Sequence, residues 1–225
     1  MRKMCALVVA LALSFSIVPA VPASAVDMAA AIQARYEKTG SFSADFEQTL
    51  THKESGSVEK RQGKLLFKKP LLINWQTAKP HEETLVVTGK EIWNYLPDEA
   101  IAYRYPLTLV QDSRSIIQVI TGQAALTKDF DVKSEGKEDG LAKLRLFPKE
   151  PAPQMVEAII WVEPDTGYIK RANILDFYGN SNEIRFTRFA PDVNVKASDF
   201  TFTPPKGLEV EDRIEHAVPE KELFQ

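Results

Sequence analysis

Asp45 and Glu47 stand two residues apart, so on a strand their carboxylates project from one face. One could then donate a proton and the other accept it. Their surroundings argue for less. Across residues 41–50, Phe42, Ala44, Phe46, Gln48 and Leu50 alternate with Ser43, Asp45, Glu47 and Thr49. That is a half-buried strand with the two carboxylates on its solvated side. His52, His81 and His216 fall in turn-like or C-terminal segments, at no metal-ligand spacing, and read as surface residues. Gly89-Lys90 lacks the upstream glycines of a phosphate loop and reads as a hairpin turn. Asp176, beside Phe177, is equally undistinguished, and neither G-x-S-x-G nor H-E-x-x-H occurs. The chemistry-bearing residues therefore predict no catalytic site, no metal and no cofactor.

The N-terminus narrows the setting. Arg2 and Lys3 precede an apolar run over 5–18, and residues 19–25 end in Ala23-Ser24-Ala25. This is the pattern of a secretory signal peptide, 1–25, with cleavage expected before Val26. Cys5, the single cysteine, lies inside it, ahead of the position of a lipid-attachment cysteine. The exported chain would then have no disulfide, thiol catalyst or thiolate metal site. It would lose two basic residues and no acid, moving the net charge from −3 to −5 and arguing against nucleic acid as a partner. No later apolar stretch is long enough to cross a membrane.

Asp27 can cap a helix over 28–39 that stops at Gly40, with Met28, Ile32 and Tyr36 as one apolar stripe. After residues 41–50, period-two segments follow at 63–69, 71–76, 84–88, 91–96 and 101–105, then 130–133, 141–147, 156–162, 168–177 and 183–189. Ten or eleven strands in a meander suit a barrel or a strongly curved sheet. Residues 106–126 interrupt it with a helix capped by Asp112 or Ser113 and ending at Gly122, carrying Ile116, Ile117, Val119 and Ile120. Such an insert must lie across a face or over an open end. A single domain over 26–210 and a charged, poorly ordered tail over 211–225 are expected.

Leu65, Phe67, Ile73, Trp75, Trp93, Tyr95, Ile160 and Trp161 make the sheet strongly apolar. A filled core and a pocket for an apolar ligand want the same residues, so composition leaves both open.

Four blocks carry a family resemblance. Ser41-Phe42-Ser43-Ala44-Asp45-Phe46-Glu47-Gln48 is similar to S-F-x-A-x-F-x-Q. Gly63-Lys64-Leu65 through Lys68-Lys69-Pro70 to Asn74-Trp75 is similar to a G-x-L…[KR]-P…W block. Residues 85–95 resemble L-V-x-D-G-x-x-[LV]-W-x-Y, and 199–208 resemble F-x-F-x-P-P-x-G-[VL]. In this order, behind a signal peptide, they resemble the LolA family of periplasmic lipoprotein carriers.

The resemblance implies a mainly β (α+β) fold: an unclosed, strongly curved antiparallel barrel covered by short lid helices. It implies an acyl-chain cavity lined by Phe46, Leu65, Phe67, Ile73, Trp75, Trp93 and Tyr95. Met28, Ile32, Tyr36, Ile116, Ile117 and Ile120 would form the lid's inner face. The implied protein is a soluble periplasmic chaperone and a monomer. It would take triacylated lipoproteins from an inner-membrane ABC-type release complex (LolCDE-like) to an outer-membrane acceptor (LolB-like), or to the membrane itself. Each acyl chain of about fifteen methylenes costs roughly 12 kcal/mol to expose, at about 0.8 per CH₂, so an escort must cover most of it. A carrier of another lipid or glycolipid, a lipoprotein-sensing module and a hydrolase are the alternatives. The hydrolase lacks a nucleophile–base motif.

Two positions depart from the family. Lys69 stands where the family commonly has the arginine that latches the lid through backbone carbonyls. Lysine has three donors on a flexible stem against arginine's fixed fork of five, which predicts a looser closed state. Thr88 stands where aspartate is frequent, with an expected effect on turn stability alone.

Overall fold

The computed structural model describes residues 24–111, 114–150 and 152–214. The first helix, α1 (Ala25–Lys38), starts three residues before the expected position because Ser24, rather than Asp27, caps it. Asp27 N–H donates to Ser24 Oγ (3.1 Å), and Ser24 N–H donates to Asp27 Oδ2 (3.3 Å), a reciprocal capping box. The proposed leader otherwise lies outside the described residues, as do Asp112, Ser113 and His216.

Among the described residues twelve strands follow: β1 (Ser41–Thr51), β2 (Val58–Lys68), β3 (Leu72–Thr77), β4 (Glu83–Val87), β5 (Glu91–Leu96), β6 (Ile101–Pro106), β7 (Phe130–Glu138), β8 (Leu141–Pro148), β9 (Glu157–Val162), β10 (Ile169–Leu175), β11 (Ser181–Pro191) and β12 (Glu209–Asp212). They form one sheet in the order β12-β6-β5-β4-β3-β2-β1-β11-β10-β9-β8-β7. β1 is therefore central, paired antiparallel with β2 and β11, and the meander runs outward on both sides. The two outermost strands, β12 and β7, do not pair with each other, so the curved sheet stays unclosed.

β12 was not legible as a strand. It pairs parallel with β6 and carries ordered structure two residues into the stretch expected to be a loose tail. All four of its side chains are exposed, so it has no hydrophobic periodicity to detect. Arg104 Nη1 fastens it by donating to Asp212 Oδ2 (2.9 Å). The Gly89-Lys90 hairpin forms as expected, and Thr88 serves its turn: Thr88 Oγ1 accepts from Lys90 N–H (3.4 Å) and Glu91 N–H (3.3 Å).

Between β6 and β7 lie α2 (Ile116–Ile120) and α3 (Leu126–Asp129). Ser115 caps α2, its Oγ accepting from Gln118 N–H (3.2 Å). All five α2 side chains are buried, as befits a helix apolar nearly all round. Gln118 is accommodated because its Nε2 donates to the Val110 carbonyl (2.7 Å). Ser115→Ala should cost about 1 kcal/mol, the usual worth of a cap, read as a lower urea midpoint at unchanged slope.

The period-two alternation gives the sheet two unlike faces. The inner face carries Phe42, Phe46, Leu65, Phe67, Ile73, Trp75, Leu144 and Ile160, which cluster with the residues of α1, α2 and α3. The outer face of β7–β11 carries an alternating ion-pair ladder, with Arg145 between Glu135 and Glu157 and Arg171 between Glu138 and Glu183. The outer face of β3–β6 is covered by the segment leading to β12. There Asn74 Nδ2 donates to the Asp199 carbonyl (2.7 Å) and Phe200 is buried.

Candidate functional site

The inner face gathers most of the residues singled out from sequence. Phe46, Leu65, Phe67, Ile73 and Trp75 are buried side by side on β1, β2 and β3. The Phe46 and Trp75 rings lie 4.2 Å apart between centroids, and Phe42 and Phe67 5.1 Å apart. From the helices, Ile32, Tyr36, Ile116, Ile117 and Ile120 pack onto them, with Met28 half-buried at the margin. Val119, Val110, Ala29 and Leu126 belong to the same cluster; of these the sequence singled out only Val119, as part of the apolar insert and not of the lid's inner face.

Two expected lining residues are elsewhere. Trp93 and Tyr95 point outward, 5.4 and 5.5 Å from Phe202. In the β5 register Ile92 faces Tyr105 and Asn94 faces Tyr103, so the inner positions of this strand are Ile92 and Asn94. Ile-Trp-Asn-Tyr is bulky on both parities. The outer aromatics are sheltered because the C-terminal segment crosses them, with the Arg104 guanidinium 5.8 Å over the Trp93 ring. Trp161 likewise faces outward, under Arg171 at 3.9 Å.

Among the described residues, a small set of polar contacts joins the helices to the sheet. Lys69, just beyond β2, donates from Nζ to the Glu37 carbonyl (2.6 Å) in the last turn of α1. A cation there also suits the helix dipole. Tyr36 OH accepts from Ile169 N–H (3.1 Å) at the start of β10, and burial pushes its hydroxyl well above the ordinary tyrosine range. Thr39 Oγ1 and Tyr168 OH lie 3.0 Å apart, and the Tyr36 and Tyr168 rings meet edge to face at 5.5 Å. Gln33 Oε1 accepts from Thr127 N–H (3.1 Å), tying α1 to α3. Gly122, just past α2, lies against the Tyr36 ring: a Cβ there would stand 2.1 Å from Tyr36 Cγ.

One end of the inner face is polar, which apolar patterning did not anticipate. Arg61 Nη1 donates to Glu83 Oε2 (3.4 Å), and Arg61 Nε also meets Glu59. His81 Nδ1 lies 3.5 Å from Glu59 Oε1. Burial raises the Glu83 carboxyl above the usual carboxylate range, and the Arg61 charge partly offsets this. Asp45 is outside this cluster, 3.4 Å from Arg188 Nε. Among the described residues no group of three or more His, Cys, Asp or Glu side chains is placed to hold a metal, and no helix is long and apolar enough to cross a membrane.

The chain has relatives along most of its length. A protein of Pectobacterium carotovorum subsp. carotovorum (strain PC1), named outer-membrane lipoprotein carrier protein, is 30% identical over 190 residues, covering 83% of this chain and 89% of its own. One of the same name from Proteus mirabilis (strain HI4320) is 30% identical over 184 residues, covering 81% and 87%. The crystal structure of an uncharacterized conserved protein from Thermus thermophilus matches with a TM-score of 0.55 at 16% identity, over 82% of this chain and 99% of that one, and shares the fold. Residues 37–203 match the family described as outer membrane lipoprotein carrier protein LolA. With the family pattern spanning β1 to the segment before β12, the chain belongs to the LolA family.

Proposed function

We propose that the inner face is the acyl-chain groove of a periplasmic lipoprotein carrier and that α1, α2 and α3 are its movable cover. The observation that carries this is the mismatch between what the helices bury and what fastens them. A continuous apolar surface lies beneath them, while α1 is held by a handful of hydrogen bonds from Lys69, Ile169, Tyr168 and Thr127. Few polar contacts need be broken to expose a large apolar area. Phe46, Leu65, Phe67, Ile73 and Trp75 would line the groove, Met28, Ile32, Tyr36, Ile116, Ile117 and Ile120 would face it from the lid, and Lys69 would latch α1.

On this reading the protein works after export, as a monomer and without a catalytic step. Its cargo is the triacylated lipoproteins freed by an ABC-type complex of the inner membrane. It passes them to an acceptor at the outer membrane, or to that membrane directly. The relatives' names as lipoprotein carriers and the family match support the carrier role.

The test is release from spheroplasts carrying newly made triacylated lipoproteins. Added protein should bring lipoprotein into the supernatant as a defined soluble complex. No release, from spheroplasts that answer to another carrier, would overturn lipoprotein as the cargo, and lipids extracted from natively purified protein would then identify what the groove holds.

A further inference from the structure

Six polar side chains from six adjacent strands form a belt across the inner face: Asn182 on β11, Gln48 on β1, Arg61 on β2, Thr77 on β3, Glu83 on β4 and Asn94 on β5. Each shares its strand parity with the apolar residues of the groove. The belt lies toward the β1–β2 hairpin, whereas Lys69 lies at the opposite end of β2. It is not a wetted rim: Gln48, Thr77, Glu83 and Asn94 are between 2 and 8% exposed. Burial of such groups is costly unless they are paired, and most here are. Gln48 Nε2 donates to Asn182 Oδ1 (3.1 Å), Trp75 Nε1 to Thr77 Oγ1 (3.2 Å) and Arg61 to Glu83. The exception is Asn94 Oδ1, buried and without a hydrogen-bond partner among the described residues.

The belt has a definite chemical preference. Its open position is an acceptor, so it gains from a ligand N–H or O–H. Its charges are two carboxylates, Glu59 and Glu83, around one guanidinium, Arg61, with His81 beside Glu59. An anionic group brought here meets like charge at low dielectric. Hydrocarbon, in contrast, belongs on the apolar surface between the belt and Lys69.

We infer that the belt seats the polar linkage of the acylated ligand and selects an uncharged, donor-bearing linkage such as an acyl amide over a long-chain carboxylate. The inference rests on the acyl-chain reading of the groove and adds an orientation: the head group lies at Asn94 and Glu83, and the chains run toward Lys69.

Displacement of a bound apolar fluorophore tests it, with N-palmitoylglycinamide and palmitate as competitors at neutral pH. The amide should displace the probe at a concentration lower by about tenfold, the scale of one like-charge contact in a buried site. Glu83→Gln should strengthen palmitate, and Asn94→Leu should weaken the amide. Each variant should narrow the ratio, which is taken within one protein and so does not depend on its probe affinity; binding of the probe at any affinity reports a folded groove. A ratio near one in the unaltered protein, or a ratio unmoved by both variants, would overturn the inference while leaving the groove intact. Failure of the unaltered protein to bind the probe and both competitors would instead overturn the acyl-chain reading, and this inference with it.

Discussion

Replacing Gly122 by alanine should lower the unfolding free energy by about 3 kcal/mol in urea titration. Two costs combine. Gly122 has φ +68°, a left-handed conformation that strains an L side chain. A Cβ would also fall 2.1–2.4 Å from three carbons of the Tyr36 ring, deep inside contact distance. That ring cannot move aside freely, because its hydroxyl is bonded to β10 and its edge meets Tyr168. Gly122→Asn separates the two costs. Asparagine tolerates the left-handed backbone but keeps the Cβ, so it should be nearly as damaging as alanine. An asparagine variant as stable as the unaltered protein would mean that backbone conformation alone demands glycine. Because the clash lies between the end of α2 and α1, the alanine variant should also take up an apolar fluorophore more readily.

Lys69→Met should speed uptake of the same fluorophore by about fivefold. The change removes the Nζ donor to the Glu37 carbonyl and the positive charge at the C-terminal end of α1. A charge-assisted hydrogen bond is worth more than a neutral one, but Lys69 is only half-buried and water competes for it. About 1 kcal/mol is the reasonable scale, which is the fivefold effect. Lys69→Arg should act in the other direction. A planar fork can engage more than one of the unsatisfied carbonyls at a helix end, so uptake should slow. An unchanged rate in both variants would remove Lys69 from the latch and leave α1 held by Tyr36, Thr39 and Gln33.

The sheet was legible because its strands alternate: β1 places Phe42, Ala44, Phe46, Gln48 and Leu50 on one face, as read from the residues. Where alternation fails, so does the reading. Residues 58–62 of β2 are Val-Glu-Lys-Arg-Gln and join the ladder only because β1 continues opposite them, from Thr51 facing Val58 to Glu47 facing Gln62. β12 is exposed on every residue and exists by pairing with an edge. Trp93 and Tyr95 were assigned to the wrong face because size alone does not choose between parities, and the Phe202 cover that makes the outer face dry comes from over a hundred residues away in sequence. Gly63 stood out only as part of a family pattern. Its physical reason is that a Cβ would sit 2.0 Å from the Gln76 carbonyl oxygen, a cross-strand approach that no local pattern encodes. Arg61 and Glu83 were invisible for the same reason, since each is an ordinary surface type until the topology sets them together.

The side chains that fill the groove belong to the chain itself. Under the carrier reading, Ile32, Tyr36, Ile117 and Ile120 are a tethered competitor, present at the high effective concentration of an intramolecular group. Loading is then an exchange of one apolar occupant for another, and the affinity for cargo is the difference between two burials. Unloading is the reverse exchange, in which the returning helices rebury most of the surface that departing hydrocarbon would leave wet. A deep apolar groove can on these terms give up its contents without an energy source of its own.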